Sequence, residues 1–223
     1  MPAPSTPSAR RSIVYVDGFN LYYGALKGQN GHRWLDLATL FTRLRPDEAL
    51  QHVHYFTARA GGADKEPQSA YLEALETTPL VEVHLGNFKR REIRCRVQAC
   101  GHTGNRHFGK YEEKHTDVNI ALRMLDDAHQ DLCDQLVLVT GDSDLVPAIE
   151  LVKRRFPEKG VAVYVPVNGD SSTRAKNARR NKVRQLSQVS DSAKPLPPEM
   201  IRGSQFPATL THETETIQRP AGW

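Results

Sequence analysis

From residue 12 to residue 189 the chain alternates short β-branched runs with stretches of helical period, and this alternation narrows its fold more than any other feature. The runs at 12–16, 53–57, 80–85, 136–139 and 161–165 read as strands. Those at 136–139 and 161–165 are apolar at every position, as strands buried on both faces are, while 80–85 alternates. Between them lie segments of helical spacing. Residues 35–44 place apolar side chains at 35, 37, 40, 41 and 44; residues 68–76 end at Thr77-Thr78-Pro79. In 115–129, Val118, Ala121, Leu122 and Leu125 share one stripe. Residues 144–156 are entered through Gly141-Asp142-Ser143, and 171–180 form a last helix, followed by a short strand at 183–186. Strand and helix in alternation predict an α/β fold: a mostly parallel central sheet flanked by helices.

Residues 87–111 break the pattern. They are Arg-rich and fit neither period, which predicts an irregular basic loop or a hairpin. Two ends stand outside the block. Residues 1–11 are rich in Pro and Ser and read as a disordered tail. Residues 190–223, interrupted by Pro195, Pro197, Pro198, Pro207 and Pro220, read as an extension, either disordered or laid as a strap across the domain. The expected domain is 12–189. Its apolar runs are far too short to span a bilayer, and 1–11 lack the apolar stretch of a secretory signal. Three cysteines, an odd number, point to a reducing, cytoplasmic setting rather than a disulfide framework.

In open α/β sheets, ligands gather beyond the carboxyl ends of the strands. After the first strand comes Asp17-Gly-Phe-Asn20; after 136–139 comes Thr140-Gly-Asp142-Ser-Asp144; at the start of the 115–129 helix sits Asp117. Each acid has a plain local reading. Asp17-Gly18 is a turn signal, Asp142 or Ser143 suits a helix N-cap, and Asp117 favours the helix dipole. Together they describe a crevice of carboxylates, which repel one another unless a hard cation relieves them. Mg²⁺ or Mn²⁺ held by such oxygens polarises a phosphoryl group and lowers the pKa of bound water. Asp126, Asp127, Asp131 and Asp134 crowd the end of that helix and the following loop and read as solvated surface.

Three blocks resemble the signature of the NYN domain, of the PIN-like nuclease superfamily: Val14-Tyr-Val-Asp17-Gly-Phe-Asn20, Glu113-Lys114-His-Thr-Asp117-Val-Asn-Ile-Ala121 and Leu138-Val-Thr-Gly-Asp142-Ser-Asp144-Leu. The resemblance implies a Rossmann-like, PIN-like fold and a metal-dependent ribonuclease binding Mg²⁺ or Mn²⁺. By position, Asp17, Asp117, Asp142 and Asp144 resemble the metal-coordinating acids. Asn20 resembles the pocket amide that orients a ligand or metal-bound water, and Lys114 a basic residue that meets phosphate. His115-Thr116 stands where Gly-Val is frequent in the family, and Leu145 where Phe is common.

The basic residues are clustered. Residues 84–116 carry eight Lys/Arg against three Glu, and 174–184 carry six with no acid, while the whole chain is only +4. The remainder is therefore net acidic, a polarity suited to a nucleic-acid face. Arg90, Arg91, Arg94, Arg174, Lys176, Arg179 and Arg180 are the candidate contacts to single-stranded RNA, with Tyr22, Tyr23, Phe88, Phe108 and Tyr111 available for stacking or for packing. Cys95, Cys100, His102 and His107 have zinc-capable ligand types in one loop, at spacings poor for a closed structural site. A Walker-type loop is absent, so no nucleotide cofactor is expected, and no Ser-His-Asp order stands out. Two rival functions remain: a binding module for RNA or protein without catalysis, and a phosphatase of the haloacid type. The latter wants Asp-x-Asp after the first strand, where Phe19 occupies the second position.

Overall fold

The computed structural model describes residues 9–59, 65–97, 101, 104, 107–167, 173–212 and 215–223, with backbone alone at 88–91, 110–114, 173–176, 178 and 179. In chain order the elements are β1 (Arg10–Asp17), α1 (Gly18–Leu21) running into a π-helical turn (Tyr22–Leu26), α2 (Leu37–Leu44), β2 (Glu48–Ala58), α3 (Lys65–Glu76), β3 (Val81–Arg94) and β4 (His107–Lys114). There follow α4 (Thr116–His129), β5 (Gln135–Val139), a 3₁₀ turn (Ser143–Leu145), α5 (Val146–Arg155), β6 (Gly160–Val165), α6 (Thr173–Ser187), β7 (Ser192–Pro195), α7 (Pro198–Arg202), β8 (Thr209–His212) and β9 (Glu215–Gln218).

One sheet runs β4-β3-β2-β1-β5-β6-β7. Six of its strands are parallel, and β4 pairs antiparallel with β3 at the edge. This is the α/β architecture expected, flanked by helices on both faces. Alternation along the central strands divides the core in two. Val14, Val16, Val53, Val137 and Val139 meet α2, α3 and the C-terminal segment. Ile13, Tyr15, Leu136, Leu138, Val161 and Val163 meet α4, α5 and Leu186 of α6. Strands covered on both sides need apolar residues at every position, which is why their runs are continuous.

Strand order reverses direction between β1 and β5. The chain moves outward from β1 through β2 to β3, then returns to β5 on the other side. The carboxyl ends of β1 and β5 therefore flank a crevice that no crossover fills.

The 87–111 segment is a hairpin in its paired part. Asn87 through Arg94 pair with Lys114 through His107, continuing β3 well past the sheet. Three expectations fail. Residues 183–186 belong to α6, whose helical period carries Leu186 into the core, and the last parallel strand is β7 instead. The buried face of α4 is Thr116, Ile120, Met124, Asp127 and Ala128, while Val118 and Leu122 are 59% and 61% exposed. Asp127, expected at the surface, is 0% exposed.

Residues beyond 189 close the molecule. β7 extends the sheet, and Leu196, Ile201 and Phe206 are buried against the α2–α3 face. Trp34 Nε1 donates to Pro207 O at 2.8 Å, and Phe206 N donates to Trp34 O at 2.9 Å. Residues 1–8 of the expected tail lie outside the described residues, and β1 begins at Arg10.

Candidate metal centre at the carboxyl ends of β1 and β5

Asp17 is the last residue of β1 and the N-cap of α1. The turn is tight: a Cβ on Gly18 would stand 2.7 Å from Phe56 O, so only glycine fits between β1 and β2. Asp17 is 2% exposed, and its carboxylate is held by three donors. Asn20 N reaches Oδ1 at 2.9 Å, Asn20 Nδ2 reaches Oδ2 at 2.6 Å and Thr140 Oγ1 reaches Oδ2 at 3.1 Å. Burial raises its pKa, and these hydrogen bonds oppose the rise.

The two strand-end turns are tied together. Thr140 Oγ1 also accepts from Asp142 N at 3.0 Å, and Asn20 Oδ1 accepts from Gly141 N at 3.1 Å. Both ends of the Asn20 amide are thus engaged within the protein, so it locks the crevice. The resemblance implies that this amide orients a ligand or a metal-bound water; in the structure it bridges the two turns. Asp142 caps the 3₁₀ turn, accepting from Asp144 N at 3.1 Å. That capping role and a ligating role are compatible, since a carboxylate has two oxygens.

Asp117 comes from the opposite side, in the first turn of α4. The chain leaves β4 through His115, whose φ of 80° turns it sharply into the helix. One oxygen each from Asp117, Asp142 and Asp144 lies within 4.8 Å of the other two. Burial first, then the charges of Asp17, Asp142 and Asp144, push the Asp117 carboxyl up to about 6. The four acids therefore share one cup, with Asp17 at its floor. An all-oxygen donor set of this charge suits a hard divalent ion.

Other expected site residues are spread along two elements. Arg90, Arg91 and Arg94 lie on β3 and Lys114 on β4; among them Arg94 has a described, exposed side chain. Arg174, Lys176, Arg179 and Arg180 lie on α6, where Arg180 is exposed. Tyr23 and Phe108 are 56% and 53% exposed. Of the proposed zinc loop, Cys100 and His102 lie outside the described residues, while Cys95 follows β3 and His107 opens β4.

Two residues were overlooked by sequence reasoning. Thr140 stands in the turn after 136–139 with no role of its own in the sequence, and its hydroxyl bridges Asp17 and Asp142. Lys182 belongs to the basic run, where nothing distinguishes it from its neighbours. A Cβ on Gly141 would stand 3.3 Å from both Lys182 Nζ and Asn20 Oδ1, which puts this ammonium over the turn that carries Asp142.

The acids stand at the switch point of a parallel α/β sheet, where such sheets place their ligands. The chain matches the NYN domain over residues 11–183 and belongs to that family, which is of the PIN-like nucleases. It is 28% identical over 192 residues to the 6-hydroxy-3-succinoylpyridine 3-monooxygenase HspA of Pseudomonas putida, covering 72% of this chain and 61% of that protein. The chain thus spans less than two thirds of that relative's length. A solved structure of a protein of unknown function from Vibrio parahaemolyticus, VPA0982, superposes with a TM-score of 0.54 at 17% identity, covering 86% of this chain and 96% of that one. That likeness supports the fold.

Proposed function

We propose that this protein is a divalent-metal-dependent ribonuclease whose acidic cup binds Mg²⁺ or Mn²⁺. The observation that carries the reading is the convergence of Asp117, Asp142 and Asp144 oxygens within 4.8 Å, over a buried Asp17. Asp117, Asp142 and Asp144 would ligate the ion, with Asp17 fixing the turn beneath it. The ion supplies a polarised phosphoryl oxygen and a water of lowered pKa. The chain's own residues do the rest. Thr140 and Asn20 hold the acids in place, and Lys182 meets the phosphate backbone beside the cup. The basic hairpin and α6 steer a single strand toward it.

The test is cleavage of a labelled single-stranded RNA in Mg²⁺ and in Mn²⁺. Asp142→Asn removes one anionic ligand at nearly constant volume and is expected to abolish turnover while leaving Tm unchanged or raised. Equal cleavage by variant and wild type discards the assignment. Salt-sensitive RNA binding without product, in either metal, makes the protein a binding module instead.

The name of the Pseudomonas relative favours a second reading, an oxygenase acting on a small heteroaromatic acid. Hydroxylation needs a reductant as well as dioxygen. Oxygen-dependent consumption of a reduced nicotinamide with 6-hydroxy-3-succinoylpyridine, surviving in Asp142→Asn, would establish it over the nuclease.

A further inference from the structure

On the opposite side of β2 and β3 from the α2–α3 core, four ligating side chains stand together under α4. Strand pleating puts His52 and His54 on one face of β2, and Glu82 and His84 on the same face of β3. The parallel register pairs His54 with Glu82 and Phe56 with His84. A single Glu82 oxygen, Oε2, then faces three imidazoles: His52 Nε2 at 3.3 Å, His54 Nδ1 at 3.3 Å and His84 Nε2 at 3.5 Å. His54 Nδ1 and His84 Nε2 are themselves 2.9 Å apart.

We propose that this cluster is a second, structural metal site that takes a borderline divalent ion, Zn²⁺: one ligand atom each of His52, His54 and Glu82 lies within 4.8 Å of the other two, and His84, next to His54 and Glu82, turns in as the fourth ligand. Zinc binds imidazole nitrogen at about 2.0–2.1 Å and carboxylate oxygen at about 2.0–2.2 Å in a tetrahedron, whose ligand atoms stand roughly 3.3–3.4 Å apart. Three of the separations above fall within about 0.2 Å of that edge, before any ion draws the ligands in. The 2.9 Å nitrogen pair shares a proton that a cation would replace. Three imidazoles and one carboxylate also separate this site chemically from the all-oxygen cup, which prefers a harder ion.

The surroundings are those of a metal-bound histidine. His54 is 1% exposed, and its other ring nitrogen, Nε2, lies 3.3 Å from Oδ2 of the buried Asp127. A ligating imidazole needs such a carboxylate behind it to fix its tautomer. Tyr15 donates to the same Asp127 oxygen at 2.8 Å, which anchors the carboxylate. Arg123 competes for the cluster: Nη2 lies 3.3 Å from Glu82 Oε2, and Nε lies 3.1 Å from His54 Nε2 and 3.3 Å from Asp127 Oδ1. With an ion on Nδ1, the Nε2–H of a neutral His54 would donate a hydrogen bond to Asp127 Oδ2, and Arg123 would keep Asp127 Oδ1 while releasing Glu82. The Glu82 side chain is half exposed and leaves a way in. Zinc here clips β2 to β3 and, through His54 and Asp127, fixes α4.

The experiment takes the full chain stripped by a chelator and titrates it with Zn²⁺, then separately with Co²⁺ as a spectroscopic stand-in. The expected result is one tightly bound Zn²⁺ that raises Tm, and the intense visible absorption of tetrahedral Co²⁺. Both persist in Asp142→Asn. In His52→Ala and His84→Ala, which alter partly exposed positions, the affinity falls by roughly tenfold or more. Equal zinc affinity in wild type and both alanine variants overturns the proposal. So does the weak spectrum of octahedral Co²⁺, or loss of the signal in Asp142→Asn, which would assign the metal to the acidic cup.

Discussion

Asp117 shows what one residue costs the fold in return for its position. Its folded pKa of about 6 exceeds the ordinary aspartate value, because burial and three neighbouring acids favour the neutral form. A raised acid stabilises the fold below the unfolded pKa and loses that contribution as pH rises through the folded one. Wild type should therefore lose stability between about pH 4 and pH 6. Asp117→Asn is expected to remove that slope and to raise Tm at neutral pH by about 3 °C, with no difference at pH 4, as thermal melts across the range will show. Mg²⁺ or Mn²⁺ at neutral pH should raise the wild-type Tm and leave that of Asp142→Asn nearly unmoved. His115 is also under constraint. Its φ of 80° is left-handed, at a position where the family resemblance expects glycine. His115→Gly relieves that strain against a glycine's greater unfolded freedom, for a net gain of about 0.5 kcal/mol read from a urea midpoint. Asp127 could not be read from the chain at all. Among Asp126, Asp131 and Asp134 it looks like one more surface acid, and only α4's seating on Tyr15 and His54 separates it from them.

At the scale of elements, α4 and α6 carry what the sequence half revealed. Both helices were visible from their period, yet α4 turns a different stripe inward. Counting apolar residues chose Val118 and Leu122, but the neighbouring strands accept Ile120, Met124 and the Asp127 network instead. Periodicity gives a helix and its moment; the packing partner chooses the face. α6 runs on through the residues expected as a strand, because 183–186 contains two apolar residues among polar ones and satisfies either period. Among its described side chains, Lys182 reaches the turn that carries Asp142. Lys182→Ala is expected to weaken single-stranded RNA binding and to reduce the slope of log affinity against log salt by about 1, measured by fluorescence anisotropy over a salt series. An unchanged slope would remove Lys182 from the phosphate path.

The whole molecule depends on its C-terminal segment. β7 completes the sheet next to β6, and Leu196, Ile201 and Phe206 close the α2–α3 face. Burying three such side chains contributes roughly 5 kcal/mol or more, comparable with the net stability of a domain. A chain truncated after residue 190 is expected to lose its cooperative thermal transition, and a melt as sharp and as high as that of the full chain would refute this. Prolines suggest an extension that is either loose or strapped, and composition alone does not choose between them. The amino-acid sequence by itself determined the alternating α/β framework, the strand ends that carry Asp17 and Asp142, and the clustering of positive charge. Those are local properties: period, turn chemistry and composition are written in consecutive residues. Tertiary structure alone decided which side chains face one another. Asp117 meets Asp142 because β1 and β5 are neighbours at the switch point with α4 packed beside them. His54 meets Glu82 because parallel register aligns them across 28 residues of chain. Such meetings depend on strand order and helix seating, which arise only when the sheet assembles.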